Sequence, residues 1–222
     1  MSHSYRTIYN NPNERQRMFY PWCYWDNAFT AEELDKMCEF FSSKGVERGT
    51  TVGQRPDEAN ANNVIVTQTA NENVRKSNVK FHDRTEETAW IYDRLNWVIE
   101  SLNNQFYNFD LNGYDTFQYT EYDDYELGRY DFHQDTIMGR NLPSDMVETR
   151  KLSLTLLLNE PGVDFEGGEF QINTGQEKDA ESVELKRGRI IVFPSFIIHR
   201  VAPVTKGRRK SLVVWVLGPK FR

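Results

Sequence analysis

His133 and Asp135 stand two residues apart in the stretch Tyr130-Asp131-Phe132-His133-Gln134-Asp135. On a β-strand that spacing puts both side chains on one face, so an imidazole nitrogen and a carboxylate oxygen can converge on one point. A divalent metal of the iron, manganese or cobalt kind accepts such a mixed donor set. Two ligands hold a metal poorly, so a third must come from elsewhere. The chain has four histidines, and His199 is the candidate, at the end of the apolar run Ile190-Ile191-Val192-Phe193-Pro194-Ser195-Phe196-Ile197-Ile198. The three would form a two-histidine, one-carboxylate facial set that leaves coordination positions open. His-x-Asp alone is a weak signal, because most such pairs are solvated or hydrogen-bonded structural groups. The neighbourhood strengthens it. His199 is followed by a run ending Lys206-Gly207-Arg208-Arg209, and a cation about ten residues after it, on the next strand, could face back into the same cavity. A guanidinium binds a carboxylate through two parallel N–H donors. Metal and dicarboxylate anchor would then share one site.

The elements that must position these groups are legible in outline. Residues 19–29 are aromatic-rich and read as an edge strand packed on the core. Thr30-x-x-Glu33 is a capping box, followed at helical spacing by Leu34, Met37, Cys38 and Phe41, with Gly45 as the stop. Residues 46–84, rich in Asn, Thr, Gly and charge, read as a long loop with short strands. His3 and His82 lie in polar surroundings and read as surface histidines. A second helix spans about Thr85 to Phe106. Its apolar stripe of Ile91, Leu95, Val98, Ile99, Leu102 and Phe106 is meant for one face of a sheet. From Tyr114 the pattern has period two: Phe117, Tyr119 and Glu121 alternate with Gln118 and Thr120. Asp123 to Gly128 reads as a hairpin connection, and 136–149 as a loop able to close over a substrate. Further strands follow at 151–159, 167–174, 190–199 and 211–217, and Trp215 reads as core. Many strands with frequent turns argue for a β-sandwich or barrel.

At 222 residues and a net charge of −6, the chain can bury one good core, and a nucleic-acid backbone is not its default partner. The two cysteines, Cys23 and Cys38, match no zinc spacing and fit a reduced cytoplasm. The polar N-terminal stretch lacks a signal-peptide apolar region, and no run approaches the roughly 20 apolar residues of a membrane span.

Five motifs now fall in order. They are Tyr125-x-x-Gly128-x-Tyr130-x-x-His133-x-Asp135, Leu152-Ser153-Leu154-Thr155-Leu156-Leu157-Leu158-Asn159, Gly167-Gly168-Glu169-Phe170, Gly188-x-x-x-x-Phe193-Pro194-x-x-x-x-His199 and Pro203-Val204-x-x-Gly207-x-Arg209. Over roughly 115–218 the chain resembles the 2-oxoglutarate- and Fe(II)-dependent dioxygenases, especially the prolyl 4-hydroxylase-like branch with the bacterial PKHD-type hydroxylases. The resemblance implies a double-stranded β-helix (jelly-roll) core at 114–218, buttressed by helices from a support region at 1–113, the whole of 1–222 forming one domain. It implies Fe(II) on His133, Asp135 and His199, with O2 as oxidant and ascorbate as auxiliary reductant. It also implies 2-oxoglutarate as co-substrate, with Arg209 on its distal carboxylate and Tyr125, Tyr130 and Thr155 lining the pocket. If the strand alternates, Arg208 and Lys210 point elsewhere. Arg75-Lys76-Ser77 resembles a segment at the active-site rim of some relatives. Relatives acting on collagen-like chains usually carry Lys at the anchor, where this chain has Arg209. Asp135 favours hydroxylation over halogenation, and the Asn-x-Tyr motif of nucleic-acid demethylases does not occur. Two readings follow: an enzyme hydroxylating a peptidyl proline, or less readily a lysine or free amino acid; or a non-catalytic jelly-roll module that has kept the metal pocket. The intact triad with Arg209 favours the enzyme. Residues 46–80 and 136–149 are expected to decide the substrate.

Overall fold

The computed structural model describes residues 20–56, 64–136, 148–175, 178 and 180–220. Its first helix starts where the capping box predicts. The Thr30 hydroxyl accepts from the Glu33 amide, and the Glu33 carboxylate accepts from the Thr30 amide. Two of the orphan donors at the start of helix α1 (Ala31–Ser42) are thereby satisfied. Thr30→Ala is expected to cost about 1 kcal/mol of stability, read by denaturant unfolding.

In chain order the elements are β1 (Cys23–Trp25), α1, β2 (Glu47–Arg48), β3 (Thr51–Pro56), β4 (Val64–Thr69), β5 (Arg75–Lys76), β6 (Asn78–Asp83) and helix α2 (Ala89–Leu102). After these come β7 (Thr116–Asp123), β8 (Arg129–His133), β9 (Glu148–Leu157), β10 (Phe165–Gly167), β11 (Phe170–Asn173), β12 (Glu181–Val183), β13 (Ile190–Pro194), β14 (Ile198–Val201) and β15 (Val204–Pro219). The major antiparallel sheet runs β1-β13-β9-β15-β7-β6-β2, with β10 also paired to β15; the minor sheet runs β12-β11-β14-β8-β5; β3 and β4 form a separate hairpin. Two antiparallel sheets with two flanking helices are the jelly-roll arrangement expected.

The major sheet sorts its side chains by alternation. Phe117 and Tyr119 of β7, Leu152, Leu154 and Leu156 of β9, and Leu212, Val214 and Val216 of β15 pack under α1 and α2 in one apolar cluster. The residues between them, including Gln118, Tyr122, Thr155, Arg209, Ser211, Val213 and Trp215, line a cavity on the opposite face. A second apolar cluster, including Phe165, Phe170, Ile172, Phe193 and Val201, lies on that inner side. The helices therefore support the sheet from behind and leave the cavity to the strands.

Three expectations change. Residues 46–84 carry β2 to β6, and β6 joins the major sheet beside β7 along six residue pairs. Its alternation was obscured because only Val79 among its residues is buried. The second helix begins at Ala89 rather than Thr85, because the Thr88 hydroxyl is engaged by the Thr85 amide and the Asp83 carbonyl. It then widens into a π-helical turn, Asn103–Tyr107, closed by left-handed Asn108. His82 is part-buried rather than a free surface group. Its ring lies 4.7 Å from Phe41 and 5.8 Å from Phe117, and its Nε2 is buried without a hydrogen-bond partner. His3 falls outside the described residues.

Burial holds the His82 pKa below its ordinary value, with Lys80 and Lys44 adding to the effect and Asp83 opposing it. A histidine depressed in this way binds fewer protons folded than unfolded. Its effect is absent above the unfolded value of about 6.5, and stability is lost as pH falls below that. The melting temperature should therefore drop between neutral and mildly acidic pH, and His82→Phe should flatten that drop. Phe41, fully buried and stacked on Tyr119, is a stability site: Phe41→Ala should cost about 3–5 kcal/mol in denaturant unfolding.

Candidate active site

His133 ends β8, and His199 lies on the neighbouring β14 directly opposite it in the ladder. Direct cross-strand partners stand about 5 Å apart at Cβ, so the register alone joins two residues 66 positions apart in sequence. Asp135 arrives by another route. The strand stops at His133, and the Asp135 and Thr136 amides both donate to the Ser195 carbonyl in a turn beyond it. The ligand atoms of His133, Asp135 and His199 lie within 4.8 Å of one another. His133 Nε2 is 3.6 Å from Asp135 Oδ1, and His199 Nε2 is 3.5 Å from Asp135 Oδ2.

The ring orientations suit ligation. Each Nδ1 sits against a backbone carbonyl: His133 at 2.7 Å from Asp131, His199 at 2.9 Å from Ile197. Carbonyls only accept, so Nδ1 carries the proton and the Nε2 lone pair faces the carboxylate. Burial, joined by neighbouring His133, holds the His199 pKa at about 4, against the pull of Asp135. Burial alone would push the Asp135 carboxyl up, but His199, His133 and Arg150 outweigh it and hold the group well below the usual carboxylate range. Neutral imidazoles beside an ionised carboxylate are the forms that bind a divalent cation.

Behind Asp135 stand two residues not singled out from sequence. Ser153 donates to Asp135 Oδ2 at 2.6 Å and lies 2.9 Å from the Ser195 hydroxyl. Their signal was polarity inside apolar runs, Ser153 on β9 and Ser195 in the turn after β13: a fully buried serine needs a partner. Ser153→Ala should lower Fe(II) or Co(II) affinity about 10- to 100-fold, read by titration.

Arg209 is 2 % exposed. Its Nη1 donates to the Ser211 hydroxyl at 3.1 Å, its Nε is buried without a partner, and it forms no ion pair among the described residues. A buried cation lacking a counter-ion is costly and calls for an anion. Gly168 makes room for it at φ +66, where an added Cβ would meet Arg209 Cδ at 2.9 Å. The neighbours of Arg209 face away, Arg208 to Asp123 and Glu121, Lys210 to Ser42. Thr155 lines the same cavity, and so does Tyr130, whose ring stacks on His133 with centroids 3.5 Å apart.

Tyr125 does not join them. It sits on the turn between β7 and β8, 74 % exposed. Tyr122 lies on the cavity instead, paired with Arg209 across β7 and β15, the guanidinium 5.6 Å from its ring centroid. Carrying the β7 alternation two residues past Thr120 would have found it. Trp215, expected in the core, also lines the cavity, with Nε1 buried and unpartnered. Arg75 lines it too, 5 % exposed. Apart from Thr136, Glu148 and Thr149, the expected closing loop at 136–149 lies outside the described residues.

A model of the 2OG-Fe(II) oxygenase superfamily (2OG, 2-oxoglutarate) matches residues 117–217. A PKHD-type hydroxylase of Psychrobacter sp. (strain PRwf-1) is 40% identical over 93 residues, 41% of this chain and 35% of that protein. Another, from Prochlorococcus marinus, is 45% identical over 80 residues, 35% of each chain. The match thus spans about a third of the length of these curated relatives. Among solved structures, a Pseudomonas putida prolyl-4-hydroxylase superposes with a TM-score of 0.62 at 19% identity, covering 90% of this chain and 94% of that one. The viral collagen prolyl hydroxylase from Paramecium Bursaria Chlorella virus-1 gives 0.62 at 16% identity, with coverages of 90% and 97%. At such identities the likeness is one of fold. Residues 117–217 are a 2OG-Fe(II) oxygenase domain related to the PKHD-type hydroxylases, on a fold shared with prolyl hydroxylases.

Proposed function

We propose that the protein is a 2-oxoglutarate- and Fe(II)-dependent dioxygenase that hydroxylates a prolyl residue, with 1–222 working as one catalytic unit. The observation that carries this is the His133, Asp135 and His199 set, its last two members buried, sharing a cavity with an Arg209 that has no counter-ion among the described residues. Iron bound there would supply the oxidation: one oxygen atom of O2 enters a substrate C–H bond, the other enters succinate, and 2-oxoglutarate loses CO2.

The protein groups bind, orient and exclude water. Arg209 pairs with the distal carboxylate of the co-substrate, with Thr155 and Ser211 beside it. Ser153 holds the Asp135 carboxylate in place. Tyr130, stacked on His133, and Phe193, 4.5 Å from His199, keep water from the ligand rings. Support for a prolyl substrate comes from the named activity of the structural neighbours and from the Trp215 indole, an apolar face suited to a saturated ring. A lysine would instead bring its ammonium into a cavity lined by Arg75, a like-charge clash. The test is succinate release with Fe(II), ascorbate and prolyl peptides, coupled to a search for a product heavier by one oxygen atom. Succinate formed without any such product on proline-containing substrates would remove the prolyl part of the reading.

A further inference from the structure

A second cavity, about 490 Å³ in volume, opens beside the metal ligands on the outer side of the minor sheet. Asn173 of β11 and Ile198 of β14 line it and pair directly with each other. Each stands next to an inward side chain, Ile172 and His199, so both face outward. Gln134, which lines it too, stands between the ligands His133 and Asp135 in the chain. The turn after β13 ties this wall to the metal site. The Gln134 Nε2 donates to the Phe196 carbonyl at 2.6 Å, and the Asp135 amide donates to the Ser195 carbonyl at 2.9 Å.

Two side-chain amides in this cavity are each half satisfied. Asn173 is 6 % exposed. Its Oδ1 accepts from the Gly175 amide at 2.8 Å, and its Nδ2 has no partner among the described residues. Gln134 is the reverse case. Its Nε2 is engaged by Phe196, and its Oε1 has no partner among the described residues. Both orientations are fixed, because a backbone carbonyl only accepts and a backbone amide only donates. A buried amide ordinarily satisfies both ends. The cavity thus presents one free donor and one free acceptor. They complement the C=O and N–H that a residue of an extended chain turns to one side. Around them lie Pro21, Phe196 and Ile198. Apolar walls with a few placed polar groups are the makings of a ligand site.

We infer that this cavity docks the polypeptide flank of the substrate: the Asn173 Nδ2 donates to a backbone carbonyl, the Gln134 Oε1 accepts from a backbone N–H, and an aliphatic side chain of the flank packs on Phe196 and Ile198. The inference rests on the proposed function for the residue that reacts at the metal. It makes the substrate a chain rather than a free amino acid. Gln134 is one position from each of two ligands, so the docked residue lies roughly three residues of extended chain from the reacting one.

The experiment is calorimetric binding to the full chain loaded with Mn(II) and saturating 2-oxoglutarate. The probes are Ac-Pro-NH2 and two extended forms, Ac-Leu-Ala-Ala-Pro-NH2 and Ac-Pro-Ala-Ala-Leu-NH2, one for each chain direction. One extended form should bind about tenfold more tightly than Ac-Pro-NH2, or better. N-methylating its backbone amides one at a time should cut that gain to about threefold or less at one position, the N–H that meets Gln134. This arm needs no protein variant. Asn173→Asp keeps an oxygen for the Gly175 amide and withdraws the donor. Gln134→Lys keeps a donor for the Phe196 carbonyl and withdraws the acceptor. Each should cut the gain as N-methylation does. The docking site is overturned if neither extended form outbinds Ac-Pro-NH2, if the gain survives N-methylation at every position, or if it survives both variants. Mass spectrometry with Fe(II) and O2 separates this inference from the function it rests on. A gain in binding without an oxygenated peptide keeps the docking site and removes the prolyl assignment, whereas oxygenated Ac-Pro-NH2 with no gain does the reverse.

Discussion

His199→Ala is expected to abolish substrate-coupled succinate release while leaving a folded protein. Structural zinc sites bind with about 10–16 kcal/mol over four ligands, so one ligand is worth roughly 3 kcal/mol, on the order of a hundredfold or more in metal affinity. The loss here should sit at the upper end, because His199 is 4 % exposed and water replaces it poorly. Turnover falls further, since a metal left on His133 and Asp135 alone is no longer held in the facial geometry that keeps the reacting positions adjacent. Co(II) titration and succinate assay should therefore fail together, with the thermal melt of the metal-free protein little changed. A variant that bound metal normally yet gave no succinate would place His199 outside the coordination set. Wild-type protein that bound metal and 2-oxoglutarate but never turned over with any substrate would favour a non-catalytic binding module.

Arg209→Gln should show effects of opposite sign on activity and stability. Removing one partner of a buried charged hydrogen-bonded pair costs roughly 2–5 kcal/mol, so the KM for 2-oxoglutarate should rise by about two orders of magnitude. Stability of the unliganded protein should hold or increase, by on the order of 1 kcal/mol, because the guanidinium is buried beside Tyr122 and Ser211 with no carboxylate among the described residues to offset its desolvation. Burial already depresses the Arg209 pKa, the signature of a charge kept at a cost to the free fold. A lower melting temperature with unchanged KM would mean that Arg209 is a structural cation and that the co-substrate is anchored elsewhere.

Two kinds of signal made much of the site readable beforehand. Local periodicity identified both helices and most strands from 114 onward, because one face of each element must meet a core and the spacing of apolar residues records that need. Arg209 came from the family resemblance, and the same alternation rule then turns Arg208 and Lys210 outward when Arg209 turns in. Where elements are short and mostly exposed the signal fades. The β2 to β6 region read as a long loop with short strands, without the place of β6 in the major sheet, because β6 buries only Val79. Tyr125 and Tyr122 show the limit within one hairpin: both are aromatics near the ligands, but the turn begins between them and carries Tyr125 into solvent.

The types and spacing of His133, Asp135 and His199 pointed to a metal, and the five motifs in family order assigned Arg209 to a dicarboxylate beside it. Only the folded chain decided which further side chains line the same cavity or back its ligands. Tyr122 comes from β7, Trp215 from β15, and Arg75 from β5 in the poorly patterned region, while Ser153 of β9 backs Asp135. Their meeting depends on sheet order and register, which are set by the packing of the whole core, and no short stretch of sequence encodes them.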